Sequence, residues 1–397
     1  MDMVFVYEDK IAQDAEGKYY TGSALPQTVF DRYLQHFDRI TVLMRRAVVD
    51  PYDTQMLSRM NRLNTDRIDV VFLPDLNAGL KAHFDPRVRA EFKKTVLNEL
   101  HPGRAVIVRA PSVSGTIAAD YCHENGIPYL AEAVGCPWDS LSNHSFKGKM
   151  MAHAWREDMR RTMRNADYAV YVTSEFLQGR YPTNGKSAAI SDVELQPMND
   201  AVLEKRMEKI RSHSGKIKIG TAGALHVAYK GQRYAIEALA RLKANGITAF
   251  EYHLAGGGDT TALKTHAEQL GVIDQVVFEG SLPHNVMFDW LDDLDVYIQP
   301  SIVEAMPRAL IEAMSRGLPA FGSIVGGIPE LLGNDYVFPR KDVEAIAGLM
   351  EKLRPEGMFT MAQRNFEHAK QFQDELLNQK RYEFYSAFAA EVKEKQQ

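Results

Sequence analysis

Short apolar runs alternate with longer amphipathic segments along most of the chain. In the first half, runs rich in β-branched and aromatic residues predict strands at 3–7, 40–44, 70–73, 105–109, 126–132 and 169–173. Segments of helical period predict helices from Pro26, up to residue 125, over 148–165 and from Ser174, which is the expected N-cap. Strands that alternate with helices pair in parallel, so this half predicts an α/β layer.

The same alternation restarts in the second half, at residues 217–222. Further strands are predicted at 250–255, 276–278, 294–298 and 319–322. Helices are predicted at 233–245, 261–270, 285–291, 308–316, 342–353, 358–372 and 374–392. The fold class is therefore α/β, with two Rossmann-like lobes and a cleft between them. We place the first lobe in residues 1–200, completed by the helix in 374–397, and the second lobe in 201–373.

Composition narrows the class of protein. A chain of 397 residues is long for one domain and comfortable for two. A net charge of −5 argues against a general nucleic-acid binder. The two cysteines, Cys122 and Cys136, form neither a disulfide framework nor a metal-ligand pattern. With no signal-peptide pattern and no apolar stretch of ~20 residues, we expect a cytoplasmic protein that meets a membrane only at its surface.

Residues 301–330 hold the densest set of residues that a plain core would not need. Strand, loop, helix and strand follow in turn, with Pro307 in the first helical turn and Gly317 at its end. Glu304 falls in the loop and Glu312 in the second helical turn. The two carboxylates then reach different parts of one ligand, and the free N–H groups at the helix start suit an anion between them.

Other candidate residues follow predicted strands. Lys230 lies after the first strand of the second lobe, where a compact positive charge can neutralise phosphate, although a lone Lys-Gly pair is often a surface turn. Gly22 follows the first strand of the chain, and a glycine there lets a ligand approach the backbone. Asp292, Asp293 and Asp295 resemble an acidic metal patch, but an exposed helix end explains them better.

The first lobe offers candidates for a second substrate. Glu132, Asp139 and His144 lie in or after the strand at 126–132, at the carboxyl end of which ligands bind in α/β sheets. Trp138 either stacks on a sugar or packs in the loop. Six basic residues on or just before the helix at 148–165 form a solvated face or meet an anionic membrane surface: Lys147, Lys149, Arg156, Arg160, Arg161 and Arg164.

Taken together, these motifs resemble the retaining glycosyltransferases of family 4, which have the GT-B fold. That family has two glutamates separated by seven residues, here Glu304 and Glu312, followed by a Gly-Leu-Pro stretch. Its lysine after the first strand of the donor lobe corresponds to Lys230 in YKGQ, and its glycine-rich strand ends correspond to 256–258 and 280–282. The first lobe, with VRAPS, EAVGCPWDSL and VTSEFL, is similar to members that build bacterial surface polysaccharides.

The resemblance implies a site and a reaction. A nucleoside-diphosphate sugar, UDP- or GDP-linked, would donate its sugar with retention to a saccharide or lipid-linked acceptor, without metal or cofactor. Glu304 and Lys230 would be catalytic, and Glu312 would hold the ribose. The remaining donor contacts would be Gly22, Gly280, Ala305, Met306, Pro307, Arg308 and Ala309.

This chain departs from the family at one position. The arginine that accompanies the family's lysine is absent, because Ala224, Leu225 and His226 occupy its region. Arg308 or His226 could supply the second positive charge. Two alternatives stay open: a sugar-nucleotide 2-epimerase of the same fold, and a non-catalytic nucleotide-sugar-binding partner subunit.

Overall fold

A computed structural model describes residues 1–22, 25–75, 85–142 and 146–395, with the backbone alone at 146 and 147. In the described residues the strands are β1 Met3–Gln13, β2 Tyr19–Thr21, β3 Ile40–Arg46, β4 Asn61–Arg62, β5 Ile68–Leu73, β6 Ala105–Ala110, β7 Tyr129–Ala133, β8 Tyr168–Tyr171, β9 Lys186–Ala189, β10 Ile217–Ala222, β11 Phe250–Ala255, β12 Val276–Gly280, β13 Val296–Gln299, β14 Ala320–Ser323 and β15 Val337–Phe338.

The α-helices of the same residues are α1 Gln27–Leu34, α2 Thr54–Leu57, α3 Pro86–Asn98, α4 Val113–Glu124, α5 Pro137–Ser142, α6 Phe146–Arg164, α7 Phe176–Arg180, α8 Asp200–Arg211, α9 Gln232–Ala244, α10 Thr261–Gln269, α11 His284–Asp293, α12 Arg308–Ser315, α13 Ile328–Leu332, α14 Val343–Glu351, α15 Pro355–Ala369 and α16 Asp374–Glu394.

Two sheets hold these strands. The first has seven parallel strands in the order β5-β3-β1-β6-β7-β8-β9, and β2 and β4 add antiparallel pairing beside the end of β1. The second is parallel throughout, in the order β12-β11-β10-β13-β14-β15. Counted along the parallel strands of each lobe, both orders are 3-2-1-4-5-6, with one extra strand in the first lobe. This is the doubly wound Rossmann order.

The central strands are apolar on both faces because helices cover both faces of a parallel sheet. Every residue of β6 and of β13 is buried. This explains why the strand predictions from continuous apolar runs agree with the structure. The predictions missed β2, β4, β9, α3, α2, α5, α13 and β15. The first three have few buried positions, and only Phe92 and Val96 of α3 are buried, so their hydrophobic pattern is weak.

The last helix, α16, packs against the first lobe. Tyr385 lies 5.6 Å from Tyr33 between ring centroids, and Phe384 lies 5.2 Å from Tyr168. The hydroxyls of Tyr33 and Tyr385 both donate to the same carboxylate oxygen of Glu132, each over 2.7 Å. Burial, then the charge of Glu132, raises the pKa of Tyr385. The helix is thus fixed by a buried polar contact as well as by aromatic packing.

The chain crosses between the lobes twice, once before α8 and once before α16. The backbone N–H of Leu195 donates to the Asp374 carboxylate over 3.0 Å, so the two connections lie side by side. In the described helices, none is long and apolar enough to span a bilayer.

We expect Tyr385→Phe to lower the free energy of unfolding by about 1.5–3 kcal/mol, because it removes a hydrogen bond to a buried carboxylate. Tyr382→Phe on the same helix is the control, since Tyr382 is 53% exposed. Urea unfolding, with aromatic fluorescence as the signal, measures both. An equal effect of the two substitutions would show that the contact with Glu132 does not hold α16.

Candidate functional site

The candidate site lies where the strand order of the second sheet reverses. The chain leaves β10 toward β11 and leaves β13 toward β14, so a crevice opens between the carboxyl ends of β10 and β13. Open α/β sheets bind ligands at this switch point. Lys230 follows β10 in a short 3-10 turn, and Glu304 follows β13 in a loop.

Lys230 and Glu304 meet across the crevice. The Nζ atom of Lys230 lies 2.8 Å from Oε2 of Glu304, with 23% and 13% of the two side chains exposed. Ser301 Oγ donates to the same oxygen over 3.2 Å. A ligand can reach this pair. Lys230 can then contact an anion, and Glu304 can accept hydrogen bonds from sugar hydroxyls.

A buried chain of hydrogen bonds supports Glu304 from below. The N–H of Ala222 donates to the hydroxyl of Tyr297 (3.1 Å), which donates to Oε1 of Gln299 (3.1 Å). Nε2 of Gln299 then donates to Oγ of Ser301 (2.8 Å). Residues 297, 299 and 301 were not predicted from the sequence. Polar groups at every second position of an otherwise apolar strand were the signal for them.

A glycine turn holds the backbone of the Glu304 loop. The N–H of Gly327 donates to the carbonyl of Ala305 over 2.6 Å. Gly326 has φ of +57°, and a Cβ there would overlap the carbonyl oxygen of Glu304. Glycine at 326 is therefore required both by its left-handed conformation and by this close approach.

The carboxylate of Glu312 is available to a ligand. It lies in the second turn of α12, and its side chain makes no hydrogen bond or ion pair with any residue that the structure describes. Burial raises its pKa, and the positive charges of Arg308 and His284 act in the opposite direction. A partly buried carboxylate without a protein partner is costly for the free protein, and such groups occur at ligand sites.

The first turn of α12 presents free backbone donors near both glutamates. The helix begins at Arg308, and Pro307 is its N-cap. The sequence predicted this proline one residue further on, in the first helical turn. No oxygen of the described residues accepts the N–H of Arg308 or of Ala309. These donors and the helix dipole suit a phosphate.

The remaining predicted donor residues are spread around the crevice. Gly280 ends β12, and its carbonyl accepts from the N–H of Gly256 over 2.7 Å, which joins the ends of β11 and β12. The ring of His226 lies against Gly258, where a Cβ would overlap it. Gly22 lies in the first lobe at the end of β2, and its carbonyl accepts from Asn61.

A cavity of about 230 Å³ lies between the lobes, next to the Glu304 loop. Met306 and Arg308 line it from the second lobe. The first lobe lines it with residues at or after the ends of its strands: Tyr7, Arg109, Val134, Val172, Ser191 and Asp192. Arg109 and Asp192 were not predicted from the sequence, because their neighbours come from distant segments.

The predicted acceptor residues have other contacts. Glu132 is buried, its hydroxyl partners are those that fix α16, and Nε of Arg109 lies 3.6 Å from its second oxygen. Asp139 pairs with Arg180 over 2.7 Å, and His144 lies outside the described residues. The cleft-facing charge at this position is therefore Arg109, with Glu132 behind it.

The loop tryptophan and the basic helix α6 are largely engaged within the protein. Trp138 packs on the ring of His153 at 4.7 Å and on the guanidinium of Arg156 at 4.9 Å. Arg161 pairs with Asp120 at 2.7 Å, and Arg156 and Arg160 both pair with Glu157. The three aspartates near 292 are also paired with basic residues: Arg316, Lys218 and Lys209.

One carboxylate connects the lobes directly. Glu330 on α13 accepts from the backbone N–H groups of Ser174 (2.7 Å) and Phe176 (2.6 Å) in the first lobe. It therefore caps α7, whose own N-cap residue makes no side-chain cap. The prediction that Ser174 is the cap is wrong, because its backbone is a donor, and the caps are Glu330 of the other lobe and Oγ1 of Thr173, which accepts from the N–H of Leu177 over 3.0 Å. Because α13 follows the Gly326–Gly327 turn, this contact is linked to the Glu304 loop.

Comparison with known proteins agrees with this architecture. Residues 203–370, which are most of the second lobe, match the family model described as glycosyl transferases group 1. The second lobe is therefore similar to the domain of that group. Solved structures with the same two-lobe fold include sucrose-phosphate synthase from Thermosynechococcus elongatus (TM-score 0.65, 16% identity, 98% of this chain and 100% of that chain). The α/β fold class with two lobes is confirmed as GT-B.

Several relatives are similar in sequence. Protein CapJ of Staphylococcus aureus is 28% identical over 89% of this chain and 86% of its own length. The putative colanic acid biosynthesis glycosyltransferase WcaL of Salmonella typhimurium is 38% identical over 30% of this chain and 31% of its own. Anabaena HepE, solved in complex with UDP, has the same fold, with a TM-score of 0.60 and 15% identity over 98% of this chain and 100% of that chain.

Replacing Glu330 tests the connection between the lobes. We expect Glu330→Ala to speed hydrogen exchange of the Ser174 and Phe176 amides at least about tenfold, because each loses a charge-assisted bond. Glu330→Gln should give an intermediate rate. Glu356→Ala, an exposed acid in the first turn of α15, is the matched control. Unchanged exchange at both amides would show that the contact does not form in solution.

Replacing Glu312 tests whether its carboxylate destabilises the free protein. At neutral pH we expect Glu312→Gln to raise the free energy of unfolding of the free protein by on the order of 1 kcal/mol, because it removes a partly buried charge that has no partner among the described residues. The pKa of Glu312 is raised above 4.5 in the folded state, so its carboxylate destabilises the fold as the pH rises through that pKa. The advantage of the variant should therefore shrink in acid. Melting curves of both proteins across pH measure this; an advantage that is independent of pH would contradict it.

Proposed function

We propose that this protein is a glycosyltransferase that moves a sugar from a nucleoside-diphosphate donor, UDP- or GDP-linked, to a saccharide or lipid-linked acceptor. The observation that carries the proposal is the Lys230–Glu304 pair at the switch point. Glu312, which has no hydrogen bond or ion pair among the described residues, lies in the second turn of α12. A positive charge, free N–H groups and two carboxylates suit a ligand with phosphates between two polyols. The match of residues 203–370 to group 1 glycosyl transferases supports the same class.

In this proposal each group takes one part of the donor. Glu304 accepts from hydroxyls of the transferred sugar, and Glu312 accepts from both ribose hydroxyls, for which a carboxylate is a good bidentate acceptor. The diphosphate lies between Lys230 and the first turn of α12. Negative charge grows on that diphosphate as the bond to the sugar breaks, so these groups stabilise the transition state most.

The transfer itself needs no protein nucleophile. The bond between the anomeric carbon and the phosphate oxygen breaks, the acceptor oxygen bonds to the same face of that carbon, and the acceptor proton passes to the leaving phosphate. The configuration is retained, and the charge of the diphosphate is met by Lys230 and backbone donors without a metal or cofactor.

The biological setting follows from the relatives. WcaL is named for colanic acid biosynthesis, and 2-deoxystreptamine N-acetyl-D-glucosaminyltransferase of Streptomyces fradiae is 26% identical over 60% of this chain and 58% of its own length. The HepE complex supports UDP as the nucleotide. We therefore propose a role in surface polysaccharide synthesis in the cytoplasm, with a lipid-linked acceptor met at the membrane surface.

Release of nucleoside diphosphate across a panel of UDP- and GDP-sugars, with and without EDTA, tests the function. We expect release with at least one donor, and a loss of about 10²–10³-fold in kcat for Glu304→Gln and for Lys230→Ala. Lys352→Ala, an exposed lysine outside the crevice, should behave as the native protein. Nucleotide binding without release from any donor would instead favour the non-catalytic partner subunit.

A further inference from the structure

The cavity between the lobes has a charge pattern that the donor site does not need. Asp192 forms an ion pair with Arg109, and it lies 3.9 Å from Arg32 and 4.0 Å from Arg381. Burial works against ionisation of this carboxyl, but the charges of Arg109, Arg381 and Arg32 hold its pKa below the ordinary value. The carboxylate of Asp192 thus lies within 4.0 Å of three guanidinium groups.

Two further carboxylates neutralise part of the cluster. Glu194 pairs with Arg32 over 3.1 Å, and Glu132 lies 3.6 Å from Nε of Arg109. Nε of Arg109 is buried and has no hydrogen-bond partner, on a side chain that is 5% exposed. Of the residues that line the cavity, Arg109 and Arg308 are cations and Asp192 is the anion.

Arg308 carries the surplus positive charge. Its side chain lines the cavity, and it makes no hydrogen bond or ion pair with any part of the chain that the structure describes. Glu312, one helical turn later, is spaced for an ion pair but forms none with Arg308. The guanidinium lines the cavity and its charge acts on Asp192 of the first lobe as well as on Glu312.

We propose that this interlobe cavity binds an anionic group, a carboxylate or a phosphate, carried by the sugar acceptor, with Arg308 as its main cationic ligand and Arg109 as its second. The inference rests on the proposed function, because it assigns the cavity to the acceptor of that reaction. A planar guanidinium with several donors matches both kinds of anion.

Position and size favour the acceptor over the donor. The cavity is lined mainly by the first lobe, whereas Lys230, Glu304 and Glu312 all belong to the second. It adjoins Met306, two residues from Glu304, so a hydroxyl of its occupant lies next to the transferred sugar. At about 230 Å³ it is smaller than a typical ligand pocket, which suits one sugar unit with its charged group.

The two arginines belong to different lobes, so the site is complete only when the lobes are closed. An acidic acceptor then stabilises the closed form, since it binds that form better than the open one. The Glu330 contact across the lobes supports the same closed arrangement.

Binding of three small sugars in saturating UDP tests the proposal. Glucose is the neutral probe, glucuronate carries a carboxylate, and glucose 1-phosphate carries a phosphate; calorimetric or ligand-detected NMR titration gives their Kd values. We expect at least one anionic sugar to bind about tenfold more tightly than glucose. The better of the two anions identifies whether an acidic sugar or a phosphate-linked one is the source.

Variants of Arg308 assign the effect. Arg308→Gln should remove the tenfold preference, and Arg308→Lys should restore part of it, and the loss of anionic-sugar affinity should exceed any loss of UDP affinity. Arg308 is exposed, so neither change should prevent folding, and Arg211→Gln on α8 is the matched surface control. Arg109 is left intact because it is buried.

Two results would overturn the inference. One is equal binding of all three sugars in the native protein. The other is a loss of UDP affinity in Arg308→Gln as large as the loss of anionic-sugar affinity, which would assign Arg308 to the donor diphosphate. Neither depends on turnover, so absence of nucleotide release would contradict the proposed function and leave this test standing.

Discussion

The parallel strand order of the second sheet constrains everything that this site can do. Because the chain turns in opposite directions after β10 and after β13, a crevice must open between them, and loops that follow those strands must border it. Lys230 and Glu304 come from these two loops and pair over 2.8 Å. Neither loop alone could form the contact. The buried Tyr297–Gln299–Ser301 chain then fixes the carboxylate, so the site is positioned by the sheet itself.

The cost of this arrangement is concentrated in a few groups. Among the described residues, neither the partly buried carboxylate of Glu312 nor the guanidinium of Arg308 has a hydrogen-bond or ion-pair partner. They lie one turn apart on the same helix but serve different sides of the protein. Glu312 belongs to the crevice of the second lobe, and Arg308 borders the cavity between the lobes. In the proposed function and the inference drawn from the cavity, α12 lies between two ligands and its residues contact both.

Much of the fold was predictable because parallel strands buried on both faces leave continuous apolar runs. Some elements that were missed have little buried surface, as in the β2 and β4 additions, β9 and α3, and others are short, as in α2, α5, α13 and β15. Among the site residues, Lys230, Glu304 and Glu312 stood out because charged groups beside glycines and strand ends rarely serve a core. Arg109 and Asp192 did not, because each is an ordinary charged residue until strands from distant segments bring them together. Glu132 was predicted as a candidate acceptor contact, but its position in a strand does not show that its side chain is buried inside the lobe.

The sequence by itself determined the alternation of strands and helices, the two lobes, and which charged residues of the second lobe follow strand ends. These are local properties, set by hydrophobic period and by glycine and proline at element ends. The tertiary structure alone decided which charges are partnered. Pairing of Glu304 but not Glu312, capping of α7 by Glu330, and the surplus charge of Arg308 all depend on distances between segments far apart in the chain. Coulomb and hydrogen-bond energies act over a few ångströms, and only the packed lobes set those distances.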